Sequence, residues 1–542
     1  MKVRRSMILL SAFLLMAPAV AAQAPVQQAI ELSLEEAVRR AIDNNPDLAV
    51  VRLGTDVEAA RVSEAESAYR PLFSTTVGRS QVAAAPFGFT NDETGVETSE
   101  WFSSAGVRQR LRRGSGVWAV SWDAARTSTN SPLSAFDPNL QSGLQVAFSQ
   151  PLFKDRKMDA AKVQYVIAQR NQQSSDLRFR QSVVQTVAAV KHAYWTLQAS
   201  RANVDVQRES LAIAEDLVRQ NRVRVDVGQS PPLDLVQAEA EVATRRENLI
   251  RAQAAAKDAE DRLRRLIMDP GDTSFWQARL DPTDEPITSP VPVDVDAAVQ
   301  IALEGRYDLA LARHDLQNAG TTVEFLTDQK RPDVRLEASY RSAGIGGTQV
   351  LRSGGFPGTI IGSRRSGLDD VLGQMFTHDY PTWSVGVTLN YPIGRSFEEA
   401  GLARAEVERR QAAHRIASLQ LQVAESIRTA GRQVQSTAER IDAARAGERL
   451  AVQRLDVERK RFEAGLSTTF LVTQAQRDLV QTQVNLLQAT LDHQAALVDF
   501  EAVKIAAPGG SDGTAGAVPT IGLSNANVVL LTPPMPAGIF RR

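Results

Sequence analysis

From Leu233 to Leu266 the apolar residues return on a seven-residue period, with Leu235, Val242, Leu249, Ala256 and Leu263 in one column. Ala238, Ala252, Ala259 and Leu266 fill the companion column, where Arg245 is the polar intruder. Such a seam predicts a helix packed along a partner with a left-handed twist. The pattern occurs twice. In the second copy the columns read Val472, Leu479, Leu486, His493 and Phe500, beside Ala475, Thr482, Ala489, Ala496 and Val503. Each copy follows a glycine turn, Val227-Gly228-Gln229-Ser230 or Ala464-Gly465-Leu466-Ser467, and each turn follows another long helical stretch. Two long helical hairpins are therefore expected, and their repetition bears on function.

The duplication reaches further back. Leu32-Ser33-Leu34-Glu35-Glu36 reads as a helix start, with Ser33 as N-cap and Glu36 three residues on. The helix passes Asn44-Asn45-Pro46, continues from Asp47 to Tyr69 and stops at Arg70-Pro71. Ala37-Val38, Ala41, Asp47-Leu48-Ala49, Arg52 and Arg70-Pro71 match Ala298-Val299, Ala302, Asp308-Leu309-Ala310, Arg313 and Arg331-Pro332 without a gap. Whole halves are duplicated.

After each Arg-Pro the period changes to two. Val334, Leu336, Ala338 and Tyr340 interleave with Arg335, Glu337, Ser339 and Arg341, and Phe73, Thr75 and Val77 with Ser74, Thr76 and Gly78. Alternation returns before the long helices, as Leu144, Val146 and Phe148 in one half and Val385, Val387, Leu389 and Tyr391 in the other. Runs of about ten residues, apolar on one face and polar on the other, suit a barrel wall between lipid and water. A half-buried sheet in water gives the same alternation, so the strands alone do not choose. The first half holds an additional hairpin, from Val107 to Leu111 and from Trp118 to Trp122 around Arg112-Arg113-Gly114-Ser115-Gly116. Loops are expected at about 82–100, 126–141 and 344–380.

The N-terminus tips the choice towards a membrane. Lys2, Arg4 and Arg5 precede a mostly apolar run from Met7 to Met16, and Val20-Ala21-Ala22 supplies a small-residue cleavage site, so residues 1–22 read as a signal peptide. No later window holds about twenty consecutive apolar residues, so a membrane span must be made of strands. The expected organisation is a first repeat over 23–268, a Pro-rich connector over 269–292, a second repeat over 293–506 and a disordered tail over 507–542.

Composition then removes whole classes of function. The net charge is -1, which gives no bulk attraction to nucleic acid. The absence of cysteine excludes thiolate metal sites, disulfides and an acylated N-terminal cysteine, hence a lipid anchor. The five histidines (His192, His314, His378, His414 and His493) are dispersed, none at metal-protease spacing, and His493 reads as a packed seam residue. Gly344-Ile345-Gly346-Gly347 follows a strand without a helix after it, so it does not read as a phosphate cradle. No catalytic, cofactor-binding or metal-binding residue is assigned.

Roughly 65 helical residues from Asp159 to Val225 give a rod on the order of 100 Å, whereas the partner from Leu233 spans about 50 Å. The excess must pack on the N-terminal helix or on another subunit. A closed ring of identical chains meets that need and also seals the strand edges, which an open sheet cannot do alone.

The sequence resembles the TolC-type outer-membrane efflux proteins across nearly the whole mature chain. The marks are Leu34-Glu35-Glu36-Ala37 with Asn45-Pro46-Asp47-Leu48, Ala68-Tyr69-Arg70-Pro71, Gln150-Pro151-Leu152-Phe153, Ala193-Tyr194-Trp195-Thr196-Leu197 and Arg461-Phe462-Glu463-Ala464-Gly465, in this order within a duplicated frame. The resemblance implies an α+β membrane channel: a homotrimer whose β-barrel in outer-membrane lipid continues into a long α-helical coiled-coil barrel across the periplasm. It implies passive export for a periplasmic adaptor and an inner-membrane pump, in efflux or type I secretion. It also implies that Gly228, Gln229 and Ser230 with Gly465, Leu466 and Ser467 are the tips that meet the adaptor. A periplasmic coiled-coil adaptor is the rival reading, but it needs one hairpin between split β-domains, not two in a duplicated frame.

Two departures from the family pattern stand out. The family has two strands per half, and the hairpin from Val107 to Trp122 is additional. Many members place acidic residues six and nine after the second tip glycine; here these are Leu471 and Gln474, while Asp234 is the acidic residue at the equivalent place in the first half. These three are the candidate gate, with Arg224 and Arg461 (beside Arg222 and Arg459) as candidate links between the hairpins.

Overall fold

The computed structural model describes residues 29–85, 95–131, 133–289, 291–355, 358–394 and 396–507. The expected signal peptide and all but the first residue of the expected tail lie outside these residues, as does the centre of the first expected loop.

In chain order the first repeat contains β1 (Ala29–Leu32), α1 (Leu34–Asn44), α2 (Pro46–Ser67), β2 (Leu72–Ala84), β3 (Val96–Arg110), β4 (Val117–Thr129), β5 (Phe136–Pro151), α3 (Ala160–Asp226) and α4 (Pro232–Ile267). After β6 (Arg279–Pro282) the second contains α5 (Val295–Gly305), α6 (Tyr307–Gln329), β7 (Asp333–Ser353), β8 (Thr359–Ser366), α7 (Leu368–Thr377), β9 (Tyr380–Asn390), α8 (Phe397–Glu463) and α9 (Thr469–Val503). The repeats agree in their caps. The Ser33 hydroxyl accepts from the Glu36 amide at 3.2 Å, and the Asp294 carboxylate from the Ala297 amide at 3.0 Å. Asn45 and Arg306 then turn to extended backbone, separating α1 from α2 and α5 from α6, and each amide donates to a matching carbonyl, Ala41 or Ala302. Glu36 does not complete a reciprocal capping box; its carboxylate holds Arg39 and Arg40.

The chain divides into two compact units, one of residues up to 46, 189–289 and 437–495, the other of 47–188, 290–436 and 496 onwards. The second carries a seven-stranded sheet in the order β2-β3-β4-β5-β7-β8, with β9 also on β7. β9 pairs with 333–343 and β8 with 347–353 of β7, so they follow one another along the edge opposite β5. All pairings are antiparallel, and β2, β5, β7 and β9 join α2, α3, α6 and α8 at one common end. The core beneath the second repeat packs Ala298, Ala302 and Leu309 against Val423, Ile427, Ala496 and Phe500.

Two loop expectations are corrected here. The stretch 344–380 is not an open loop but the end of β7, then β8 and α7. At 126–141 strands β4 and β5 take up most of the expected loop. The strands outrun the ten-residue estimate, β7 reaching 21 residues. The alternation weakens in these extensions because α7, rather than lipid or water, covers part of one face. Val371 and Met375 are buried there, and the Ser342 hydroxyl donates to the Met375 carbonyl at 2.6 Å. Gly344 and Gly346 make this approach feasible: a Cβ on Gly344 would lie 2.0 Å from the Val371 carbonyl oxygen. Of the glycines singled out in the sequence, Gly344 and Gly346 thus serve helix packing, while Gly347, at φ +106°, faces the Pro138 carbonyl of β5.

The other unit holds the hairpin ends. The β1–β6 pair is parallel, joining the start of the first repeat to the connector. The buried Tyr194 hydroxyl anchors it, donating to Asp284 Oδ2 at 2.6 Å and accepting from the Thr283 amide at 3.1 Å. Burial, then the Asp284 bond, pushes its pKa up to about 12, so it remains a donor at physiological pH. Leu217 of α3, Leu455 and Phe462 of α8, and Val472, Ala475 and Leu479 of α9 form the core of this unit. His493 is fully buried on the seam, its Nδ1 3.0 Å from the Thr437 hydroxyl.

Candidate functional site

Two features carry the chemistry: the faces of the sheet and the tips of the hairpins. Residues opposite one another in a sheet point to the same side. The register places Phe73, Val107, Val120, Val146, Tyr340 and Trp383 in one row across β2, β3, β4, β5, β7 and β9. The same face carries Trp118, Phe148 and Val385, then Leu336 with Val387 and Val334 with Leu389. Trp383, Val385, Val387 and Leu389 are each more than 60% exposed, an apolar surface without a covering layer. The opposite face reads Ser74, Gly106, Ser121, Gln145, Arg341 and Thr382. There Arg341 makes a two-pronged ion pair with Asp123 at 2.7 and 2.6 Å, crossing Gly143, where a Cβ would clash with the guanidinium. A wall apolar outside and polar inside fits a water-filled barrel in lipid. The hairpin from Val107 to Trp122 lies within that wall, with Trp118, Val120 and Trp122 on its apolar face. The Trp122 indole donates to the Ser142 hydroxyl at 2.8 Å, so its polar edge is satisfied.

At the tips the two halves repeat atom for atom. Gly228 and Gly465 adopt φ of +71° and +73°. The Gly228 amide donates to Val225 O and the Gln229 amide to Arg224 O; the Gly465 amide donates to Phe462 O and the Leu466 amide to Arg461 O. Both are the glycine-ended helix stop in which a left-handed residue turns the last carbonyls back on themselves. Gln229 and Leu466 are exposed, and the Ser467 hydroxyl donates to Glu458 at 2.8 Å. Ser230 is half-buried beside Pro231, which precedes α4.

The candidate gate residues occupy varied surroundings. Arg224 reaches the other hairpin, donating to Phe462 O at 3.0 Å with its guanidinium 4.1 Å from the Phe462 ring centroid. Arg461 pairs with Glu458 on its own helix, and Arg222 with Glu239 within its own hairpin. Asp234 is half-buried in the first turn of α4, and Leu471 is 43% exposed. Gln474 donates to Asp478 at 2.8 Å, and Asp478 also pairs with Arg454.

The sequence reading missed two polar groups. Asn221, fully buried, donates to Asp234 O at 3.5 Å and lies 3.4 Å from the Thr469 hydroxyl, joining α3, α4 and α9. Glu241, 4% exposed, accepts from Arg245 at 2.7 Å and from Arg477 Nε at 3.1 Å, linking α4 to α9. Burial works to raise the Glu241 pKa, but the Arg477 hydrogen bond and the charges of Arg245 and Arg477 outweigh it, leaving the carboxyl below its ordinary range. The signal was present in Arg245, which interrupts the apolar seam and needs a buried anion four residues away.

Comparison with known proteins fits this geometry. The family model for outer membrane efflux proteins matches residues 37–267 and 298–503, one match in each repeat. The outer membrane efflux protein BepC of Brucella suis is 25% identical over 478 residues, covering 86% of this chain and 84% of its own length. The outer membrane protein VceC from Vibrio cholerae superposes with a TM-score of 0.61 at 16% identity, covering 88% of this chain and 97% of its own. The open-state MtrE channel of Neisseria gonorrhoeae gives 0.58 at 15%, with 87% and 89% covered. An apolar-backed strand wall joined to twin helical hairpins is thus the shared design of a non-enzymatic conduit, and this chain belongs to the outer membrane efflux protein family, the channels that sit in the outer membrane and reach into the periplasm.

Proposed function

We propose that three copies of the chain form one continuous passive duct and that its tips receive a periplasmic adaptor bound to an inner-membrane pump. The observation that carries the trimer is the open sheet. β2 and β9 stand at its two edges, and every residue of β9 is exposed. Unpaired edges beside an uncovered apolar face need a partner strand, and a ring supplies it by setting β9 of one protomer against β2 of the next. On this reading the pump supplies the energy, and the exported cargo is a drug, a metal ion or a protein. Membrane fractionation with cross-linking is expected to show a species of about three chains in the outer membrane. A stable periplasmic monomer overturns the assembly.

The exposed Gln229 and Leu466, with the glycines before them and Ser230 and Ser467 after them, are the adaptor contacts in this proposal. The constriction is built from Leu471, Gln474 and Asp234, with Arg224 as the link between tips. Carboxylate rings concentrate cations over about 10 Å at 0.1 M salt, the screening length. With uncharged residues at 471 and 474 the channel is closed by packing and hydrogen bonds and is weakly cation-selective. In planar bilayers, Leu471→Asp with Gln474→Asp is expected to raise cation selectivity and block by multivalent cations, and Asp234→Asn to remove most of the wild-type preference. Strong cation selectivity that survives Asp234→Asn overturns this assignment.

A further inference from the structure

The apolar side of the sheet carries one row that its surroundings do not explain. Arg79 on β2, Trp101 on β3 and Arg126 on β4 are register partners, so they leave the sheet on the face of Phe73, Val107 and Val120. The Arg79 guanidinium lies 5.3 Å from the Trp101 ring centroid. Trp101 is 54% exposed, and both arginines are exposed. Of the other arginines in the large sheet, Arg110, Arg335 and Arg341 each pair with an aspartate, whereas Arg108, Arg352, Arg364 and Arg365 form no ion pair among the described residues. Arg79 and Arg126 stand apart in flanking a tryptophan in one register row. Among the described residues neither Arg79 nor Arg126 forms an ion pair, and the Arg79 guanidinium donates one long hydrogen bond, to the Ser99 hydroxyl at 3.4 Å.

Position makes this informative. The row lies six residues along β2 beyond Phe73, away from the end that joins the helices. At about 3.4 Å per residue and a strand tilt near 40°, that is roughly 15 Å along the membrane normal. Apolar rows run equally far from the Phe73 row towards the helices, to Val334 and Leu389, so Phe73 sits near the middle of an apolar band about 25 Å tall and the arginine row stands at the outer headgroup level. An uncompensated arginine is costly within hydrocarbon, but at headgroup depth it meets phosphate, whose oxygens match its fork of donors. Tryptophan favours that same layer.

We propose that Arg79, Trp101 and Arg126 form a docking site for the phosphate-bearing headgroup of an outer-leaflet lipid. The two guanidinium groups take phosphate oxygens from either side, and the indole packs on the headgroup between them. This rests on reading the apolar face as the lipid-facing wall. Charge complementarity and continuity with that wall favour lipid over a soluble anion.

The test incubates the detergent-purified full chain with diphosphoryl lipid A, or with the same lipid stripped of its phosphates, and counts retained lipid by native mass spectrometry. The wild type is expected to keep the phosphorylated lipid about 10-fold better, and Arg79→Gln with Arg126→Gln to abolish that difference. Arg112→Gln with Arg113→Gln, at the opposite end of the strands, is expected to leave it intact. Should the double variant misfold, the wild-type comparison still decides. Equal retention of the two lipids by the wild type overturns the site, as does full retention by a folded double variant or displacement of the lipid by millimolar inorganic phosphate. Failure of the wild type to insert into vesicles at all counts instead against the wall reading.

Discussion

Val120→Lys is expected to abolish assembly in the outer membrane, whereas Ser121→Lys is tolerated. The two positions are adjacent in sequence and opposite in consequence. Val120 stands mid-row between Val107 and Val146 on the apolar face, and Ser121 between Gly106 and Gln145 on the polar one. A lysine on the lipid face at the bilayer midplane costs about 2–4 kcal/mol per copy, and less as it nears either interface. In a trimer the cost recurs in every protomer, so the assembled barrel should fall below detection on heat-modifiability gels while total expression is unchanged. On the polar face water solvates the added ammonium. Equal assembly of both variants would falsify the assignment of the faces.

The second large effect is expected at Glu241, inside the helical unit. Its carboxylate is held by Arg245, itself 6% exposed, and by Arg477. Glu241→Ala leaves the Arg245 guanidinium buried without its counter-charge, and breaking a buried pair from one side costs about 3–5 kcal/mol. Amides of α4 and α9 near the site should then exchange with deuterium roughly two to four orders of magnitude faster, because local opening becomes easier by that amount. Glu241→Leu combined with Arg245→Met removes both buried charges and should recover most of the protection. If the double variant is as labile as Glu241→Ala, the effect is one of packing. The link also has a pH signature. Since the folded-state pKa of Glu241 lies below its ordinary value, its stabilisation is fully present above the unfolded pKa of about 4.3 and is lost as pH falls through the folded pKa. Protection around Glu241 should therefore decline in acid and hold at neutral pH, and this pH dependence should be absent in the double variant.

Much of this architecture is a local property of the chain. The heptad columns are set by the helical period, so the seams that bury Ala238, Ala252, Ala259 and Leu263, or Val472, Ala475 and Ala496, are legible without a partner. The glycine stops at Gly228 and Gly465 and the caps at Ser33 and Asp294 depend on hydrogen bonds spanning a few residues. The two-residue alternation of Phe73, Val146 or Val385 assigns each strand its apolar face, because side chains in a strand must alternate.

Tertiary structure decided what lies between distant segments. Which strand is neighbour to which, and that Phe73, Val120 and Trp383 fall in one row, follows from pairing, and no strand encodes its partner's register in its own period. α7 was hidden in a stretch read as a loop because it is only ten residues long and its buried face, Val371 and Met375, finds its cover where Gly344 and Gly346 leave room on β7. The same holds at the tips. Arg224, Arg222 and Arg461 look alike as basic residues near a glycine, yet only Arg224 among these three reaches the other hairpin, because the buried Phe462 lies within its reach. The Glu241–Arg477 link likewise joins residues far apart in the chain: a heptad pattern shows where a buried charge interrupts a seam, and only the packed helices show which opposite charge compensates it.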